Sequence, residues 1–138
     1  MTPIESINTF YQSIKDKNVE VIHEAYIQSN ETYVILEGPR YTTLGFPLIA
    51  KGWIDFCQSG LSLAGIEWVE GPFEESNESM AWVAGMIILN VVVQEQTFSV
   101  QFRATFVLIK ENESWKIKHE HVSAPLTDPY GIGDWLKK

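Results

Sequence analysis

Two histidines stand two positions apart in WKIKHEHVSAP, residues 115–125, and they are the side chains in this sequence best suited to moving protons near neutral pH. Side chains on a strand alternate between faces, so Trp115, Ile117, His119, His121 and Ser123 are expected on one side, with Lys116, Lys118 and Glu120 on the other. The side bearing Trp and Ile is the expected interior. His119 and His121 then become candidate catalytic acid and base groups in a partly apolar surrounding. The plainer reading gives them structural hydrogen bonds at the end of a sheet, since buried polar groups are paired. Alternate strand residues can also share a zinc or copper ion, but the third ligand would have to be His23, which lies between Val19 and Tyr26 on an apolar helical stripe. There is no second ligand-spaced pair, so neither a metal nor a cofactor is expected.

Arg103 is the next candidate, because an arginine close to Phe102 and Phe106 in a strand calls for an anion or a carboxylate. Its position depends on the ENES connection. A three-residue loop sets Arg103 opposite Ser123, on the face of both histidines and beside Thr105; a two- or four-residue loop sets it opposite Val122, diagonal to Glu120, where an ordinary ion pair accounts for it. Asn112-Glu113 reads poorly as a two-residue turn, since both positions would need positive φ. Trp53, Tyr33 and Trp82 are candidate aromatic walls for a ligand, with core packing as their ordinary role. Glu37 is a candidate ligand contact and, with Glu67, a possible base, although carboxylates near loops are usually solvated. No Ser-His-Asp order, Cys-His pair or phosphate-binding glycine loop can be assembled.

The elements that must carry these residues are legible from pattern. Thr2-Pro3-Ile4-Glu5 combines a capping hydroxyl, a first-turn proline and a capping-box glutamate, and Ile4, Ile7, Tyr11 and Ile14 continue a helical stripe to about Lys15. Asn18 can cap a second helix with Val19, Ile22 and Tyr26 inward. TYVIL, residues 32–36, reads as a short strand ending at Gly38-Pro39. A third helix starts at Pro47, with Ile49, Trp53, Phe56 and Cys57 on one face, and Gly60 is expected to end it in the left-handed conformation. Residues 63–73, 80–94, 97–110 and 114–124 read as four antiparallel strands. Helices followed by strands specify an α+β class with one domain over residues 1–138.

The second long strand is apolar on both parities: Met80, Trp82, Ala84, Met86 and Ile88 on one, Ala81, Val83, Ile87, Leu89, Val91 and Val93 on the other. Three short helices cover one sheet face only, so a homodimer through the sheet's outer face is expected. Trp135 and Leu136 in the closing GIGDWLKK could dock on the domain or across that dimer. The net charge of -8 and the scattered lysines and arginines argue against nucleic acid and anionic membrane surfaces as partners. Cys57 is alone and MTPIESINTF lacks a signal-peptide pattern, from which a cytoplasmic location is expected. The longest apolar run is too short to span a bilayer.

The element order, together with RATFVLIKENESWKIKHEHVSAP over residues 103–125, resembles the nuclear transport factor 2-like superfamily, in particular its SnoaL-like and ketosteroid-isomerase-like branch. The resemblance implies a cone-shaped, cystatin-like fold in which a curved antiparallel sheet wraps three N-terminal helices, with a pocket at the open end. It also implies dimerisation through the outer face. The isomerases of that branch use a tyrosine and two carboxyl groups at positions that fall here at Phe10, Gly38 and Phe106. Tyr11 and Glu37 are one residue out of step, and neighbours on a helix or strand point elsewhere, so that reaction is not implied. Three functions are compatible: binding of a small, largely apolar organic ligand that could carry a carboxylate; an isomerase, cyclase or hydratase-like enzyme using His119 or His121; and an assembly module like the association domain of calcium/calmodulin-dependent kinase II.

Overall fold

The computed structural model describes residues 1–134. Helix α1 (Pro3–Lys15) begins with the capping box read from the sequence: the Thr2 hydroxyl accepts from the Glu5 N–H, and the Glu5 carboxylate accepts from the Thr2 N–H. Helix α2 (Val19–Glu24) is capped by Asn18, and α3 (Phe46–Gln58) carries Pro47 in its first turn. Gly60 does not take the left-handed conformation. Instead Ser59 turns to extended backbone, and its N–H and hydroxyl both donate to the Phe56 carbonyl, which ends α3 with no positive φ.

The remaining elements form one six-stranded sheet in the order β2-β1-β6-β5-β4-β3. The strands are β1 (Tyr33–Ile35), β2 (Thr43–Leu44), β3 (Leu61–Ser76), β4 (Met80–Val93), β5 (Gln96–Glu111) and β6 (Ser114–Ser123). The two-residue β2 was not anticipated. Strands β3 to β6 are joined as antiparallel hairpins, whereas β1 lies parallel to β6. Two of the turns are tight: Gln94-Glu95 and Asn112-Glu113 each link paired residues directly, and all four have φ between 51° and 67°. That conformation is unfavourable for most side chains, and long ladders on either side hold it.

The sheet bends where β3 departs from regular pairing, with register shifts between Leu63 and Gly65 and on both sides of Glu70. Gly85 makes the bend possible, since a Cβ there would stand 2.4 Å from the Glu70 carbonyl oxygen. The hollow side receives α1: the Trp68 indole N–H donates to Asn8 Oδ1 at 3.1 Å, and Glu74 accepts from the Ile4 N–H at 3.0 Å. Ile7, Phe10, Tyr11, Ile14, Ile22 and Tyr26 from the helices pack there against Val83, Ile87, Phe106, Leu108 and Ile117. The outer face is less covered, with Phe73, Met80 and Trp82 exposed. No helix among the described residues is long and apolar enough to cross a membrane. Trp135 and Leu136, expected to dock, lie outside the described residues.

Candidate functional site

A cavity of about 330 Å³ lies between α1, α3 and the hollow side of the sheet. Its buried floor is made by Phe10 and Tyr11 of α1, Val34 of β1, Leu63, Leu89 and the end of β6. Its rim is formed by residues 37–40, Leu48 on α3 and Leu61 at the start of β3, all exposed. Most of this wall is apolar, and its titratable members are Glu37, Arg40, Glu120 and Tyr11.

Glu120 reaches the floor through an irregularity in β6. Leu108 pairs with Ile117, but the next pair is Val107 with His119, which leaves Lys118 without an opposite residue. The alternation is reset at that bulge. Ile117, Glu120 and Val122 are buried inward, whereas His119, His121 and Ser123 turn to the outer face. Unbroken alternation had assigned the histidines inward and Glu120 outward, and both placements are corrected. His119 donates from Nδ1 to the Tyr33 carbonyl at 2.8 Å and stacks on the Tyr33 ring, 5.7 Å between centroids. His121 is exposed opposite Thr105.

The same bulge explains Arg103. A two-residue turn alone would have set it opposite Val122; one extra residue in β6 moves it opposite Ser123, whose hydroxyl accepts from the Arg103 Nε–H at 3.1 Å. Arg103, Thr105, His121 and Ser123 therefore do share a face, but it is the outer one, away from the cavity. Tyr33 and Trp82 are not cavity walls either: Tyr33 stacks with His119, and Trp82 is 38% exposed on the outer side of β4. Trp53 and Glu37 do line the cavity. His23, considered as a third metal ligand, donates from Nε2 to the Ala50 carbonyl at 3.1 Å and packs edge-on against Phe46.

Glu120 is 1% exposed, and among the described residues it is the only acidic or basic side chain that is buried. The Tyr26 hydroxyl donates to its Oε1, and the Trp53 indole N–H donates to the Tyr26 oxygen at 3.0 Å. No hydrogen bond from a described residue occupies Oε2. Loss of water pushes the Glu120 carboxyl up to about 8; the Tyr26 hydrogen bond opposes this, and the charge of Glu37 adds to it. At neutral pH the group is therefore mainly a neutral acid, with an O–H to give.

Glu37 is exposed as a residue, yet the cavity wall crowds its carboxyl enough to push it up to about 7, against a hydrogen bond from its own backbone. Water reaches this residue, so no folding energy follows from the shift. Burial, and then the charges of Glu120 and Glu37, hold the Tyr11 hydroxyl well above its ordinary value, so it stays a neutral donor. It has no hydrogen-bond partner among the described residues. Tyr11 and Glu37, each one residue out of step with the isomerase positions, thus both line the cavity. Phe106 pairs with Glu120, so a carboxyl enters from the adjacent strand.

The sequence did hold a signal for Glu120. Ile117 and Val122 are five positions apart, which puts them on opposite faces of a regular strand, so burying both requires one irregularity between them, and Glu120 then follows Val122 inward. Nothing local fixes that irregularity at Lys118.

No curated protein matches the chain. Among solved structures, the chain is similar to a nuclear transport factor 2 (NTF2-like) superfamily protein from Salmonella enterica serovar Typhimurium, with 24% identity, a TM-score of 0.78, and 94% of this chain and 93% of that one covered. It is also similar to a putative calcium/calmodulin dependent protein kinase II association domain from Xanthomonas campestris, at 16% identity and a TM-score of 0.69 over 86% and 82% of the two chains. A ketosteroid isomerase-like protein from Erwinia carotovora atroseptica gives 10% identity and a TM-score of 0.70 over 88% and 93%. These likenesses establish the fold. The SnoaL-like domain family matches residues 5–127, most of the chain, so the chain belongs to that family, with the fold of the nuclear transport factor 2-like protein above.

Proposed function

We propose that the cavity binds a small, largely apolar organic molecule through one hydrogen-bond-accepting oxygen, of the carbonyl type. The observation that carries this reading is Glu120: a carboxyl group on the floor of an apolar cavity, backed by Tyr26 and Trp53 and with one oxygen free of hydrogen bonds from the described residues. A neutral carboxylic acid donates a hydrogen bond where a carboxylate would repel an electron-rich oxygen. Tyr11 offers a second donor on the same floor. The probe is 2-acetylnaphthalene, compared with 2-ethylnaphthalene, which has the same body and no oxygen. The ketone is expected to bind more tightly at pH 6, and Glu120→Leu is expected to remove its advantage. Equal affinity of the two compounds for the native protein would overturn the reading.

A second reading is favoured by the placement of two carboxyl groups in one cavity, one pushed to about 7 and the other to about 8. Such a pair suits enolisation of a bound ketone: Glu37 as carboxylate takes the α-proton, and Glu120 gives its proton to the oxygen as charge develops there. Exchange of the methyl hydrogens of 2-acetylnaphthalene for deuterium in heavy water, lost in Glu37→Gln, is the expected result. No exchange above the buffer rate would leave binding alone. Homodimerisation belongs to the same proposal, supported by the exposed Phe73, Met80 and Trp82 on the outer face. So does a cytoplasmic location, supported by the single cysteine.

A further inference from the structure

Resting on the binding reading above, we propose that Arg40 forms an anion-accepting subsite at the cavity rim, so that the ligand carries a carboxylate at the end opposite its hydrogen-bond-accepting oxygen. Three observations point there. First, among the described residues Arg40 is the only basic one in the cavity wall, and it has no hydrogen bond or ion pair with any of them. This holds although Glu37 shares the wall with it; the ion pair formed among the described residues is Lys51 with Asp55, on the exposed side of α3. Several other cations are engaged: Lys17 on the Ser59 carbonyl, Lys116 on the Glu24 carbonyl, Arg103 on Ser123.

Second, the guanidinium lies over a bare stretch of helix. Gly52 is in the interior of α3, where glycine costs about 1 kcal/mol relative to alanine. A Cβ there would meet Arg40 Nη1 at 3.6 Å, an ordinary contact, so the guanidinium lies directly over the glycine, and a large side chain at this position would enter the cavity that Gly52 also lines.

Third, the rim that Arg40 shares with Glu37 also presents apolar surface, with Leu48 56% and Leu61 39% exposed. Apolar surface beside a guanidinium thins the water around it and strengthens its pairing with an incoming anion. The polarity of the cavity is therefore divided: hydrogen-bond donors on the floor, and at the mouth a cation that shares the rim with Glu37, whose carboxyl, pushed up to about 7, is mainly protonated at pH 6. A molecule that fits both ends has an apolar body, a carbonyl-type oxygen that enters first and a carboxylate that stays at the entrance.

The test uses 6-acetyl-2-naphthoate and its methyl ester, which share one body and differ in the charge at one end. Both are titrated by calorimetry at pH 6 into the native protein, Arg40→Gln, Arg40→Lys and Gly52→Phe. The carboxylate is expected to bind native protein about tenfold more tightly than the ester. Arg40→Gln is expected to abolish that preference, the two probes then binding within about twofold of each other, and Arg40→Lys to restore part of it. Ester binding with no carboxylate preference, or a preference that survives Arg40→Gln, overturns the Arg40 subsite and leaves the cavity reading standing. Binding of either probe that persists undiminished in a folded Gly52→Phe protein places it outside the cavity and overturns both.

Discussion

Replacing Glu120 by glutamine isolates the energetic consequence of burying an acid under the curved sheet. Glutamine keeps a carbonyl oxygen for the Tyr26 hydroxyl and removes the titration. In the native protein burial pushes the Glu120 carboxyl from an ordinary 4.5 to about 8. Between those values the folded protein holds a proton that the unfolded chain has released, so folding stability falls as pH rises through that window. Above about pH 8 the folded protein must carry a buried carboxylate whose hydrogen bond from Tyr26 compensates only in part. The full difference amounts to about 5 kcal/mol, at about 1.4 kcal/mol per pH unit. Rearrangement of water and neighbours around the new charge reduces this, and about 2–5 kcal/mol is expected. Urea denaturation of both proteins at pH 5, 7 and 9, at one ionic strength, measures it. The two are expected to agree within about 1 kcal/mol at pH 5, with Glu120→Gln ahead by at least about 2 kcal/mol at pH 9. Glu37 titrates in both proteins and largely cancels in the comparison. Parallel stability curves across the whole range would refute the claim that Glu120 is an uncharged acid at neutral pH.

Tyr26→Phe removes the hydroxyl that joins Trp53 to Glu120, leaving an indole N–H and a carboxyl each short of one bond; a loss of about 1–3 kcal/mol is expected in thermal or urea denaturation. The Tyr26 hydrogen bond holds the Glu120 carboxyl down, so in this variant the pH-dependent fall in stability should begin at the same pH and extend to higher pH. His121→Ala should leave the affinity for 2-acetylnaphthalene within about twofold of native, because the residue faces away from the cavity. A large loss there would revive the histidines as cavity residues. Light scattering at micromolar concentration is expected to give twice the mass of the chain, and Trp82→Glu, which sets a charge on the exposed apolar outer face, to give the single mass. A native protein that runs as a monomer would remove the dimer proposal.

Local pattern determined the elements of this protein. The capping box at Thr2 and Glu5, the Asn18 cap, Pro47 in the first turn of α3 and the runs of β-branched and aromatic residues each act within a few positions, so they can be read without knowing the fold. The apolar stripes likewise fixed the hollow side of the sheet as the side that meets the helices, because water excludes those surfaces whatever their partners are. Tertiary structure decided which polar residues meet the cavity. A single unpaired residue, Lys118, inverts the faces of everything after it in β6, exchanging His119 and His121 for Glu120. The Asn112-Glu113 turn and that bulge offset each other in register, so Arg103 reached the predicted partner Ser123 on the opposite side of the sheet. Tyr11, Glu37 and Arg40 come from a helix and a loop far apart in the chain, and only closure of the curved sheet over α1 and α3 brings them to one wall. Pairing energies summed over long ladders set that geometry, and no short segment carries enough of them to reveal it in advance.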